Sequence, residues 1–264
     1  MLQGPPRPAG YAFSGSASGL CGGIDATTHA FFLDVDGTLL DIAARPNEVV
    51  VPYNLPDTLA ALARRAGGAL ALVSGRTIAD LDALFGPRRF AAAGSHGAES
   101  RTAPSGDIVR AAPLERSLRR AVGTVASEFN GVFAEDKETA IAVHYRAQPT
   151  VEPVLRRALL SVVGGFPDVT LLPGHCVFEI KRKGHDKGTA VDAFLALPAF
   201  AGRTPVFIGD DVTDEAGFRA VRAAGGIAIA VGIERAGAQT VLPDPSAVRA
   251  LITHLAAEPR QLRR

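Results

Sequence analysis

Short, uninterrupted apolar runs alternate along this chain with segments whose apolar residues return every three or four positions. The runs fall at 30–35 (AFFLDV), 69–73 (ALALV), 90–94 (FAAAG), 204–209 (TPVFIG) and 226–231 (GIAIAV). Their continuity predicts strands buried on both faces. The helical pattern falls at 56–65, 77–85, 187–195, 213–223 and 245–256. Strands and helices in alternation predict a parallel sheet covered by helices, an α/β fold. Helix starts are marked by Asp57 directly after Pro56, by Ser74 and Thr77, and by Thr213 ahead of Asp214 and Glu215.

The pattern changes in the middle of the chain. Residues 97–112 read as a hairpin turning at PSGD. A helix is expected near 113–129, strands near 131–135 and 139–145, a helix near 151–163, and strands near 168–172 and 176–181. TAIAVHY alternates in part, as an antiparallel strand with one wet face does. The division expected is a disordered leader over 1–28, an α/β core in two segments (29–110 and 182–264), and an inserted α+β cap over 111–181.

Composition narrows the picture by exclusion. The net charge of +1 offers no nucleic-acid or anionic-membrane surface. No apolar run approaches the ~20 residues of a membrane span. The Pro-, Gly- and Ser-rich beginning lacks the basic start and apolar centre of a secretory signal. Cys21 and Cys176 form no framework and no CxxC, which fits a reduced, cytoplasmic setting. One bias is informative. The chain has 28 Lys and Arg, of which only Lys137, Lys181, Lys183 and Lys187 are lysines. A chain that defaults to Arg keeps Lys where a compact ammonium is needed, and Lys187 and Lys181 are the favoured positions.

Candidate chemistry lies where strands end. Ligands of open α/β sheets bind beyond the carboxyl ends of the strands. The first strand ends in Asp34-Val35-Asp36-Gly37-Thr38, another in Asp210 and Asp211 followed by Asp214 and Glu215, and a third in Ser74-Gly75-Arg76. Carboxylates so crowded repel one another unless a cation sits among them, and hard oxygen ligands suit Mg²⁺. Ser74, Lys187 and backbone N–H groups offer donors to a phosphoryl group. An Asp can attack phosphorus, and a second Asp two residues on can move the proton if the chain turns at Gly37. Asp41 reads as a solvated residue beyond the set.

At these residues the sequence resembles the haloacid-dehalogenase (HAD) superfamily of phosphotransferases. Asp34–Thr38, Ser74, Lys187 and Gly209-Asp210-Asp211 match its four motifs. The resemblance implies a Rossmann-like parallel core with an inserted cap. It implies Asp34 as nucleophile and Asp36 as acid and base. Mg²⁺ would be held by Asp34, the Asp36 carbonyl and Asp210, with Asp211 or Asp214 holding metal waters or Lys187. LVSGR, GSHGAE, VHYR, EIKRKGHDKG and GDDVTDE together resemble the trehalose-6-phosphate phosphatase family over roughly residues 30–256. That family implies a hydrolase of a small sugar phosphate; a monomer is expected. Substrate contacts are then expected from Gly75, Arg76, His96, Glu99 and Asp214 on the core, and from Glu135, Lys137, Arg146, Glu179 and Lys181 on the cap. His144 is expected to be structural, and His29, His175 and His185 to lie at the surface. Arg182 stands where the family usually has Pro after E-I-K. A sucrose-phosphate phosphatase, a hexose phosphomutase and a non-catalytic sugar-phosphate module are the alternatives, the last disfavoured by the intact Asp34 and Asp36.

Overall fold

The structure, a computed structural model, describes residues 23–43, 48–174 and 176–257. Residues 1–22 of the expected leader, with Cys21, and His175 lie outside the described residues. The rest of that expected leader is built into the fold. Ile24 and Ala26 are buried in the main core, and Asp25 accepts from the backbone N–H of Thr27 at 2.8 Å. An apolar pair separated by one residue was too short a signal to read from sequence. His29, expected at the surface, is also buried, with its Nδ1 2.9 Å from the Asp25 carbonyl.

Twelve strands are described: β1 (His29–Leu33), β2 (Leu70–Val73), β3 (Ala91–Gly94), β4 (Glu99–Arg101), β5 (Val109–Arg110), β6 (Phe133–Asp136), β7 (Ala140–His144), β8 (Val169–Gly174), β9 (Val177–Arg182), β10 (Thr204–Gly209), β11 (Ile227–Val231) and β12 (Thr240–Leu242). The α-helices are α1 (Leu55–Arg65), α2 (Ile78–Phe85), α3 (Arg116–Ser127), α4 (Glu152–Val163), α5 (Lys187–Leu195), α6 (Glu215–Ala223) and α7 (Pro245–Ala256). The predicted elements are present with small shifts at their ends. β12 was not predicted, since three residues carry no readable period. The helix expected from 213 begins instead with a 3₁₀ turn over Val212–Asp214.

The larger sheet has the order β12-β11-β10-β1-β2-β3-β4-β5. It is parallel from β12 to β3 and antiparallel at β3-β4 and β4-β5. Every residue of β1, β2 and β3 is buried. Successive side chains point to opposite faces, so both faces of this sheet are covered. Phe31, Phe32 and Leu33 join the core at 1 % exposure or less.

The smaller sheet has the order β6-β7-β9-β8 and is antiparallel throughout. Its own apolar cluster joins Ile141, Val143, Phe178 and Ile180 to Leu118 and Val122 of α3 and to Leu155 and Leu159 of α4. Register therefore divides the sheet. Ile141, Val143, Phe178 and Ile180 face the helices, while Phe133, Glu135, Ala142, His144, Glu179 and Lys181 share the opposite face. Among the described residues no helix is long and apolar enough to cross a membrane.

Candidate active site

Three adjacent strands of the larger sheet, β10, β1 and β2, deliver the motif residues to one edge. Asp34 follows β1 directly, and its N–H is held by the Ile208 carbonyl of β10 at 3.0 Å. Asp210 follows β10 and Ser74 follows β2. Parallel pairing sets all three at carboxyl ends. Gly37 then turns the chain at φ +77°, a region other residues disfavour. A Cβ at position 37 would lie 2.1 Å from Asp210 Oδ2, so only glycine admits that carboxylate. Thr38 Oγ1 donates to Asp210 Oδ1 at 3.0 Å. Thr38 thus joins two motifs far apart in the chain.

Lys187 enters from the N-terminus of α5. That helix is started by Asp186, whose side chain accepts from the Thr189 N–H at 2.8 Å. Lys187 is 3 % exposed and donates to Asp34 Oδ1 and to Asp214 Oδ1, each at 2.6 Å. Burial alone would lower its affinity for a proton. The Asp214 and Asp34 carboxylates outweigh burial and hold Lys187 above the ordinary lysine value. Asp34 is shifted upward by burial and by the nearby Asp214, with Lys187 opposing both. Burial and Asp214 push Asp210 upward as well.

Asp34, Asp210 and Asp214 each bring an oxygen within 4.8 Å of the others. Three carboxylates and one ammonium leave a formal charge of −2, which fits a divalent cation. The residues fit that cation unequally. Asp214 gives Oδ1 to Lys187, and its Oδ2 accepts the N–H groups of Asp210 and Asp211 at 3.0 and 2.9 Å. Asp34 and Asp210 keep oxygens toward the cluster. The acidic set of Asp34, Asp210 and Asp214 is thus compatible with a metal site. Asp211 is not part of the cluster and its side chain is 55 % exposed. Asp214, expected either to reach substrate or to hold Lys187, is wholly buried and takes the second role, holding Lys187 and the 210–211 backbone.

Beside Asp34, Ser74 is buried, and its Oγ accepts from the Arg76 N–H at 3.1 Å. Arg76 does not point to a substrate pocket alone. Its guanidinium grips both oxygens of Asp36, at 2.7 and 2.6 Å. Gly75 permits the next layer of packing, since a Cβ there would lie 2.5 Å from His96 Nε2. Ser95 and His96 both adopt positive φ, at 49° and 51°. Two bonds hold this loop against the Ser74–Arg76 loop, His96 N–H to the Ser74 carbonyl (2.9 Å) and Ser95 N–H to the Arg76 carbonyl (2.8 Å). Glu99 ends differently from expectation. It is 6 % exposed, Oε2 accepts the Ile78 N–H at the start of α2 (2.7 Å), and Oε1 accepts from Arg110 (3.0 Å). Both oxygens are committed, so Glu99 positions the helix behind the Ser74 loop and does not offer itself to a sugar.

The smaller sheet meets this edge through Glu179. Its Oε2 lies 3.1 Å from His96 Nε2. Burial, reinforced by Lys187, Lys181 and Lys137, pushes His96 well below the ordinary histidine value. Its Nδ1 is buried with no partner. Burial also raises Glu179 and lowers Lys181, each opposed by the other's charge. Lys181 is 4 % exposed on the same sheet face as Glu179. The remaining expected contacts lie further out. Glu135 is exposed and sits 3.0 Å from His144 Nε2 and 3.9 Å from Lys137 Nζ. Arg146 is exposed in the turn after β7.

One residue escaped the sequence reading and a second was noted there without a role. Arg235, beyond β11, donates Nε to the Asp210 carbonyl at 2.7 Å, tying the next strand's loop to the acidic one. Its only sequence signal is a position just past a strand end. Arg182 is the second. In place of the family's Pro it donates Nε to the Ala112 carbonyl (3.2 Å) and Nη2 to the Pro113 carbonyl (3.0 Å), and pairs with Asp168. One guanidinium thus stitches together the two chain segments that run between the sheets.

A parallel sheet that aims carboxylates and a serine from neighbouring strand ends towards a buried lysine at a helix start, with a second sheet folded over that edge, is a fold shared with solved phosphatase structures. The C-terminal domain of the trehalose-6-phosphate phosphatase of C. albicans superposes with a TM-score of 0.76 at 22 % identity, over 87 % of this chain and 93 % of that one. Residues 32–242 match the trehalose-phosphatase family, and the chain belongs to it. It is 43 % identical over 238 residues to a protein named as a probable trehalose-phosphate phosphatase of Sinorhizobium fredii, covering 88 % of this chain and 89 % of that protein. It is 42 % identical over 206 residues to the trehalose-6-phosphate phosphatase of Escherichia coli, covering 77 % of each.

Proposed function

We propose that the protein hydrolyses trehalose 6-phosphate to trehalose and phosphate, through an aspartyl-phosphate on Asp34. The observation that carries this reading is the Asp34–Lys187–Asp214 group packed against Asp210 and Ser74 at the edge that Glu179 overhangs. Lys187 binds one oxygen of Asp34 and leaves the other to form the bond to phosphorus as the bond to the sugar oxygen breaks. Asp36 gives that oxygen its proton and then takes one from the water that opens the aspartyl-phosphate. Both oxygens of Asp36 are engaged by Arg76, so substrate binding must part this pair before the proton can move. Ser74 and Lys187 donate to the phosphoryl oxygens, where most of the stabilisation in phosphoryl transfer resides.

Mg²⁺ is the proposed cation, held by Asp34, Asp210 and the Asp36 carbonyl, and when bound it neutralises charge on the phosphoryl group. Residues 29–110 with 182–264 form the proposed catalytic core, and 111–181 the cap. His96, Glu179, Lys181, Glu135, Lys137 and Arg146 read the sugar hydroxyls. The proposed setting is a cytoplasmic monomer. The test is phosphate release over a panel of sugar phosphates, with and without Mg²⁺. Trehalose 6-phosphate should give the highest kcat/KM, and Asp34→Asn should abolish turnover. Preference for sucrose phosphate, or phosphate transfer between positions of a hexose, overturns the substrate assignment.

A further inference from the structure

We propose that Phe133, held upright by His144, is the stacking platform for the sugar ring farther from the phosphate, and that it sets the preference for a disaccharide over a single hexose. The inference rests on the proposed function above. Phe133 belongs to β6, the edge strand of the smaller sheet. It pairs directly with His144 of β7, and their rings stack at 4.6 Å between centroids and 18° between planes. His144 is fixed from its other end by Glu135, with Oε2 3.0 Å from Nε2. The three side chains form one prearranged unit, yet Phe133 remains 60 % exposed. A solvent-facing aromatic ring held by a hydrogen-bonded neighbour serves no core, since the apolar cluster of this sheet lies on the opposite face.

Direction comes from the register. Phe133, Glu135, Glu179 and Lys181 share one face, and Glu179 touches His96 of the larger unit, so this face looks onto the active-site edge. Three rows run across it. The Lys181 row lies at the end of β9 from which the chain runs on to Lys187 at the start of α5. The Glu179–Ala142–Glu135 row comes next. The Val177–His144–Phe133 row is outermost, two residues or about 7 Å beyond the second. A monosaccharide phosphate anchored at Asp34 would meet the first two rows. A second ring would extend over the third. Pyranose rings present C–H faces that pack on aromatic faces, while their edge hydroxyls take the charged groups on either side, here Glu135 and Arg146.

The experiment compares kcat/KM for trehalose 6-phosphate with that for glucose 6-phosphate, which lacks the distal ring. Phe133→Ala should lower this ratio about tenfold. Phe133→Leu, which keeps apolar bulk without the aromatic face, should lower it in part, and Phe133→Trp should preserve it. A ratio unchanged in Phe133→Ala overturns the platform, as does full rescue by Leu. The chain has no tryptophan, so Phe133→Trp is a single reporter. In an Asp34→Asn background its emission should shift on titration with trehalose 6-phosphate and Mg²⁺. Silence at saturating ligand, with binding confirmed by calorimetry, also overturns the platform. If the unmodified protein releases no phosphate from trehalose 6-phosphate, the proposed function fails first, and the two failures are told apart.

Discussion

The edge of the large sheet and the facing side of the small one treat charge in opposite ways. At the large sheet's edge, Asp34, Lys187 and Asp214 are buried and bonded to one another at 2.6 Å, and Asp214 has no oxygen left over. On the small sheet, Glu135 and Arg146 are exposed, and Lys181 is buried beside the charge of Glu179. The first region is a closed network assembled before any ligand arrives. The second presents charged groups to solvent on one face of the sheet. A network in low dielectric is lost as a whole when one member goes, whereas separate surface groups fail one at a time.

The largest test of that contrast is Lys187→Met. It leaves Asp34 and Asp214 buried without their counter-charge, and breaking such a buried pair costs about 3–5 kcal/mol. Phosphate release should fall by at least about a thousandfold and the urea midpoint should drop sharply. Added Mg²⁺ should recover part of the stability but not the turnover. Near-normal activity in this variant would break the idea of a closed network.

Asp214→Asn comes next. The amide cannot accept from two backbone N–H groups and also hold Lys187 with the same charge. Cation affinity, read as the Mg²⁺ concentration giving half-maximal thermal stabilisation, should weaken about 10–100-fold, as for other groups that orient metal ligands. An unchanged value would return Asp214 to the substrate side.

Arg182→Ala sharpens the boundary between the two regions. It removes bonds to Ala112, Pro113 and Asp168, and the loss should cost about 1–3 kcal/mol. Hydrogen exchange should rise in 112–114 and 182–184 while protection of β1 and β10 stays intact. A uniform rise over both sheets would mean that Arg182 serves global stability and not the link between them.

The smallest effect concerns His96. Its folded value lies below the ordinary ~6.5, so the unfolded chain binds more protons between the two values and acid favours unfolding there. Stability from this residue is present above about pH 6.5 and is lost as pH falls toward the depressed value. Glu179, raised by burial, acts in the opposite sense, gaining protons in the folded state as pH falls. Thermal melts of His96→Gln should show a shallower loss between about pH 7 and 5 than the parent. An identical slope would place the acid sensitivity elsewhere.

The motif residues that lie at strand ends were legible because a strand end is a local event. An apolar run stops, a carboxylate or serine follows, and parallel pairing carries each to the same edge. The role of Glu99 was not legible. It is a charged residue inside a recognisable motif, and sequence offers no means to tell a carboxylate that meets a ligand from one that meets an N–H group 21 residues away, as Glu99 does with Ile78. Arg235 and Arg182 were missed or left unexplained for the same reason, since their partners are backbone carbonyls, which every residue possesses. Ile24 and Ala26 show the converse limit, two apolar side chains recruited by a core too distant in the chain to announce itself.

The sequence by itself determined the α/β core, the inserted antiparallel block and the placing of Asp34, Ser74, Lys187 and Asp210 at one edge, because hydrophobic period and strand order fix these with local information. Tertiary structure alone decided how the charges are shared. Lys187 bonds Asp34 and Asp214, Arg76 takes both oxygens of Asp36, and His96 meets Glu179 across the two sheets. Those pairings depend on distances of a few ångströms between segments more than a hundred residues apart in the case of Asp34 and Lys187. Coulomb and hydrogen-bond energies vary steeply over that range, so the three-dimensional packing chooses the partners.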